Sequence, residues 1–69
     1  MMTTEQILAL ENKLYKADDE IYFVEKISIN NSYSEVFFDV SFIDTSSLKR
    51  IRGVWERSWF EMYEENFLE

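Results

Sequence analysis

Carboxylates dominate the reactive side chains of this sequence. Fourteen Asp and Glu stand against seven Lys and Arg, a formal net charge of −7, and the 69 residues include no Cys and no His. Without Cys there is no disulfide and no thiol nucleophile; without His as well, the usual zinc ligands and the usual near-neutral base are missing. An enzyme needs a nucleophile, a tuned acid or base, or a metal held in a pocket. No carboxylate pair stands out for that work, and a single Gly leaves no glycine-rich phosphate loop. The expectation is a binding protein rather than an enzyme, with no catalytic residue, no cofactor and no metal site.

The carboxylates crowd toward the C-terminal end, at Glu56, Glu61, Glu64, Glu65 and Glu69. Ser58-Trp59-Phe60-Glu61 fits a capping box, which predicts a helix over 59–68. Trp59, Phe60, Met62, Tyr63 and Phe67 then share one side, and Glu61, Glu65 and Glu69 recur on the other at i, i+4, i+8. Like charges at that spacing cost about 0.2–0.5 kcal/mol per pair. Glu64, Glu65 and Glu69 also sit where the helix dipole disfavours negative charge. Two local rules broken in one place suggest a functional surface, although a solvated helix face fits the same pattern. Asp18, Asp19 and Glu20 extend the acidic surface; they lack the alternating ligands and the Gly of a calcium loop. The candidate partner-binding set is therefore Glu56, Glu61, Glu64, Glu65, Glu69, Asp18, Asp19 and Glu20.

A sheet must carry these groups. The alternation in 35–43 predicts a central strand with Val36, Phe38, Val40 and Phe42 facing the core. Residues 21–29 predict a preceding strand, with Ile21, Phe23, Ile27 and Ile29 inward, and 48–56 a following one, with Ile51, Gly53 and Trp55 inward. Turn-forming residues link them at 30–34 and 44–47. A register with Ile29 opposite Val36 and Ile43 opposite Leu48 places Phe38 over Gly53, an aromatic–glycine pairing. It also lines up Lys26, Asp39 and Arg52 across the outer face. Glu25 would face the core opposite Val40 unless it reaches water at the sheet edge or a bulge turns it out. Arg50 and Arg52 read as guards of an edge strand. At the N-terminal end, Thr3-Thr4-Glu5-Gln6 is a second capping box, and Ile7, Leu10, Leu14 and Ala17 recur at helical spacing. A helix over 3–17 is predicted, ending at Asp18-Asp19.

The expected fold is α+β: one domain over 1–69, α-β-β-β-α, a three-stranded antiparallel meander in the order 1-2-3 with both helices packed on one face. The other face would expose Tyr22, Val24, Phe37, Ile43 and Val54, a possible homodimer or oligomer surface.

Net acidity disfavours direct binding to nucleic acid or an anionic membrane and favours a protein partner with a basic surface. No apolar run approaches the length of a membrane span, and no signal-peptide pattern is present. A cytoplasmic protein is expected, in the host cytoplasm if phage-encoded. In size and charge the chain resembles phage-encoded inhibitors of restriction, CRISPR or transcription machinery. The acidic surface itself suggests an inhibitor or adaptor that occupies a basic, nucleic-acid-binding site by charge mimicry. The alternative is a homo-oligomeric structural or regulatory module associating through the outer sheet face.

Overall fold

A computed structural model of the chain describes residues 1–31 and 36–68. Part of the expected turn (Ser32, Tyr33, Ser34), the first residue of the expected central strand (Glu35) and Glu69 lie outside the described residues. The elements run α1 (Thr4–Leu8), β1 (Leu14–Ala17), β2 (Glu20–Asn30), β3 (Phe37–Asp44), β4 (Arg50–Glu56), α2 (Arg57–Met62), a 3-10 turn (Glu64–Asn66) and β5 (Phe67–Leu68). The five strands form one antiparallel sheet in the order β4-β3-β2-β1-β5. The expected three-stranded meander with two helices on one face is therefore wrong. Its three strands are present as β2, β3 and β4, but most of the first expected helix and the end of the second are extended or turn.

The first helix stops at Leu8, well short of the expected end. Thr3 caps α1 as expected, with Gln6 N–H donating to Thr3 Oγ1 and Thr3 N–H to Gln6 Oε1. Ala9 is the C-cap, and Asn12 adopts φ 71°, a left-handed conformation that Asn tolerates better than most residues. Asn12 N–H donates to the Val24 carbonyl (2.6 Å) and Val24 N–H to the Lys13 carbonyl (2.9 Å), so the chain enters the sheet here. Ala17 pairs with Glu20, and Asp18-Asp19 make a two-residue hairpin loop with Asp18 at φ 55°. The β2 edge needs partners for its backbone groups. Beyond the end of β1, the Glu11 carboxylate supplies one by accepting Ile27 N–H (3.0 Å).

The alternation in β2 breaks at Glu25. Val24 pairs with Phe42 and Lys26 with Ser41, which leaves Glu25 as the extra residue of a β-bulge. The bulge reverses the phase of the strand. Tyr22 and Val24 before it share a face with Ile27 and Ile29 after it, and Phe23 turns to the other side. Val24 is fully buried and Tyr22 packs on Phe42, so neither belongs to an outer surface. Glu25 is turned out, away from the core.

The β3–β4 register is also shifted by two residues from the expected one, and the β2–β3 register by one before the bulge and two after it, which preserves the faces of β3 and β4. Ile29 pairs with Phe38, Phe38 with Trp55 and Val40 with Gly53. Phe38 therefore does not lie opposite the glycine; the ring nearest to Gly53 is the Trp55 indole. The Lys26, Asp39, Arg52 row is replaced by Lys26, Ser41, Arg52, and Asp39 stands between Ser28 and Val54. Between β3 and β4 the cause is the loop that joins them. Asp44 Oδ1 accepts Ser46 N–H and Ser47 N–H, and Asp44 N–H donates to the Lys49 carbonyl. Leu48 is consumed in the loop at φ 62° and is 77% exposed.

The sheet is curled. Four strand spacings separate β4 from β5, about 19 Å in a flat sheet, yet the rings of Trp55 and Phe67 are 6.1 Å apart. Tyr15, Phe38, Val40, Phe42 and Trp55 line the concave side. Phe60 of α2 and Ile7 of α1, both fully buried, complete the core. Arg57 closes one end. Its Nη1 donates to the Met2 carbonyl (2.9 Å), its Nη2 to Thr4 Oγ1 (2.8 Å), and its guanidinium sits 5.6 Å from the Phe38 ring centre.

Candidate functional site

The eight candidate acidic residues divide into three groups. Glu56 and Glu61 are half-buried and work within the fold. Glu56 stands at the N-cap of α2 and accepts the Ser58 hydroxyl; Ser58 itself is not the cap. Glu61 Oε2 accepts Met2 N–H (2.7 Å). Glu69 lies outside the described residues. Asp18, Asp19, Glu20, Glu64 and Glu65 are all exposed. Because α2 stops at Met62, the carboxylates do not form the regular i, i+4, i+8 row expected on a ten-residue helix.

The tertiary structure brings the exposed five to one end of the sheet. β5 runs antiparallel to β1, with Tyr15 opposite Phe67 and Leu14 opposite Leu68. Residues preceding Phe67 therefore travel beside residues following Tyr15. Asn66 fixes this alignment by donating through Nδ2 to the Lys16 carbonyl (2.7 Å). The 3-10 turn bearing Glu64 and Glu65 thus lies next to the hairpin bearing Asp18, Asp19 and Glu20. Burial pushes the Tyr15 phenol up from its ordinary pKa, and neighbouring Tyr63 and Asp18 push it further. Among the described residues no three side chains converge as metal ligands.

Beside this acidic end α2 exposes large apolar groups. Trp59, Met62 and Tyr63 occur at i, i+3, i+4 and share one face. They are 43%, 68% and 41% exposed, while Phe60 alone on the helix is buried. The sequence pattern places all of them in the core. Only the docking of α2 shows that Phe60 faces inward and that Trp59 and Tyr63 pack on the rim of Trp55, with ring centres 6.2 and 6.0 Å away.

The convex face of β2, β3 and β4 holds a second polar site. Arg50 grips Glu25 with two bonds, Nε to Oε2 (2.7 Å) and Nη2 to Oε1 (2.8 Å). The Ser41 hydroxyl donates to Glu25 Oε2 (2.7 Å). The Arg50 and Ser41 hydrogen bonds hold the Glu25 carboxyl down at about 2, against an ordinary value of 4.5. A carboxylate held so low is a weak base at neutral pH. Beside it a shallow, open surface depression of about 680 Å³ is lined by Lys26, Ser28, Asp39 and Arg52 among others. Of the expected oligomer residues, Phe37, Ile43 and Val54 do occupy this face. Between β3 and β4 they pair with Glu56, Arg50 and Asp39, and between β2 and β3 Ile43 pairs with Phe23.

Comparison with protein families, with curated proteins and with solved structures finds no match to this chain. No helix is long and apolar enough to cross a membrane among the described residues.

Proposed function

We propose that this chain is a small acidic protein-binding module that docks on a basic, nucleic-acid-binding surface of a larger protein and blocks it. The observation that carries this reading is the meeting of two acidic segments, remote in sequence, beside three exposed apolar side chains. Asp18, Asp19, Glu20, Glu64 and Glu65 form a charged rim; Trp59, Met62 and Tyr63 form an apolar centre. Aromatic residues and Met are enriched in interfaces, charged residues are depleted at the interface core, and the rim is polar and solvent-accessible. The rim steers a positively charged partner and sets the on-rate, while the aromatic anchors set the lifetime of the complex. Compared with a regular helical row of glutamates, this arrangement matches a basic partner by overall charge and apolar contact, not by phosphate spacing.

The test is retention on the immobilised protein from an extract of its native cell, at low and high salt, with duplex DNA or RNA as competitor. The expected partner binds nucleic acid, is released by salt and competitor, and is lost when the five acids become Asn or Gln. Trp59→Ala should weaken binding by about 2 kcal/mol, the scale of an aromatic interface anchor. Retention indifferent to salt and to neutralisation of the five acids overturns the reading.

A further inference from the structure

β4 is an edge strand of seven residues, and among the described residues no strand pairs with its far side. The other edge, β5, has two residues. A long edge is a template for another strand, and positive charge normally guards it. Here the guard is weak. Arg50 is already neutralised by the two-point grip on Glu25, which leaves Arg52 as the remaining cation of the strand. Ile51 and Val54 are about half exposed, at 47% and 48%.

We propose that two copies of this chain pair through β4, antiparallel, with Gly53 on the two-fold axis. The strand is complementary to itself in that register. With Gly53 on the axis, residue 53 faces its own copy, 52 faces 54, 51 faces 55 and 50 faces 56; directly opposed residues of an antiparallel pair share a face, so the sheet continues across the pair. Arg50 then meets the partner's Glu56. Its Nη1 remains available beyond the Glu25 grip, and one Glu56 oxygen remains beyond the Ser58 hydroxyl. The Arg52 stem lies along the partner's Val54. Ile51 covers the partner's Trp55, an aliphatic–aromatic pair that favours strand pairing. Within residues 50–56 no like charges are directly opposed. Moving the axis to residue 52 instead sets Arg52 against itself. Asp18, Asp19, Glu20, Glu64 and Glu65 all stand outside β4, so none of the five acids takes part in the pairing.

The chain contains no Cys, so single cysteines report the register directly. A Cβ at residue 53 meets only the Trp55 indole, at 3.7 Å, an ordinary contact, so Gly53→Cys is accommodated. Under mild oxidation Gly53→Cys should form a disulfide-linked dimer. Arg52→Cys alone and Val54→Cys alone should not, because each is offset from its own copy by about 8 Å, beyond disulfide reach. A mixture of those two variants should cross-link as a heterodimer. Sedimentation of the unmodified protein should show a monomer–dimer equilibrium, with the dissociation constant raised about tenfold by Glu56→Arg, which sets like charges opposite each other. Equal cross-linking at 52, 53 and 54 overturns the register. A monomer at every concentration overturns the dimer and leaves the edge to a different chain.

Discussion

The two faces of one sheet do different work. The concave face is built from rings: Tyr15, Phe42 and Trp55 meet one another, and Phe60 meets Phe38 and Trp55, at centroid distances between 4.9 and 5.8 Å. The convex face over β2, β3 and β4 is built from ions and hydroxyls, centred on the Glu25, Ser41, Arg50 contact. Apolar burial is worth about 25 cal/mol per Å², whereas exposed ion pairs contribute little. The concave side therefore supplies the stability of a chain too short to hold much in reserve. The convex side supplies alignment: the bulge at Glu25, tied to β4 by Arg50, matches only one register.

That contrast is broken most readily from the concave side. Phe38→Ala removes a fully buried ring that touches Phe60 edge-on at 5.4 Å and lies beneath Arg57. The expected loss is about 3–5 kcal/mol, enough to unfold a domain of this size, as read by urea titration or loss of near-ultraviolet dichroism. Arg57→Ala comes next. It frees the Met2 carbonyl and Thr4 Oγ1 and uncovers Phe38, at an expected cost of about 1.5–3 kcal/mol in the same titration. Thr3→Ala removes the α1 cap and should cost about 1 kcal/mol.

The convex face should respond mainly through pH and register. The Glu25 carboxyl titrates lower in the folded chain than in the unfolded one, so its stabilisation is complete above about 4.5 and is lost as pH falls toward about 2. Urea midpoints of the protein and of Glu25→Gln should converge across that window, since the other carboxylates are common to both. A constant gap from pH 7 to pH 2 would assign the role of Glu25 to shape and not to charge. Lys26→Gln, an exposed change, should alter stability by less than about 0.5 kcal/mol. A cost comparable with that of Phe38→Ala would end the distinction between the two faces.

Much of this division is legible in the residues. Alternation through 36–43 and 50–55 identifies β3 and β4 and the faces of both, and Glu25 stands out as a charge at an apolar position, which is where the bulge occurs. The acidic candidates are visible as a composition bias. Their grouping is not, because it depends on β5 lying along β1. A pairing of two residues with four has no pattern of its own.

The sequence by itself determined the central strands, the Thr3 cap and the strong negative charge, since each rests on neighbours close along the chain. Tertiary structure alone decided that residues 14–17 and 67–68 are strands, that the β3–β4 register moves by two, and that Phe60 turns inward while Trp59, Met62 and Tyr63 remain exposed. Leu14 and Ala17 fit a helical stripe with Ile7 and Leu10 as well as they fit a strand, so local spacing cannot choose between the two. The open backbone groups along β2 choose, because a neighbouring strand satisfies them and a helix does not.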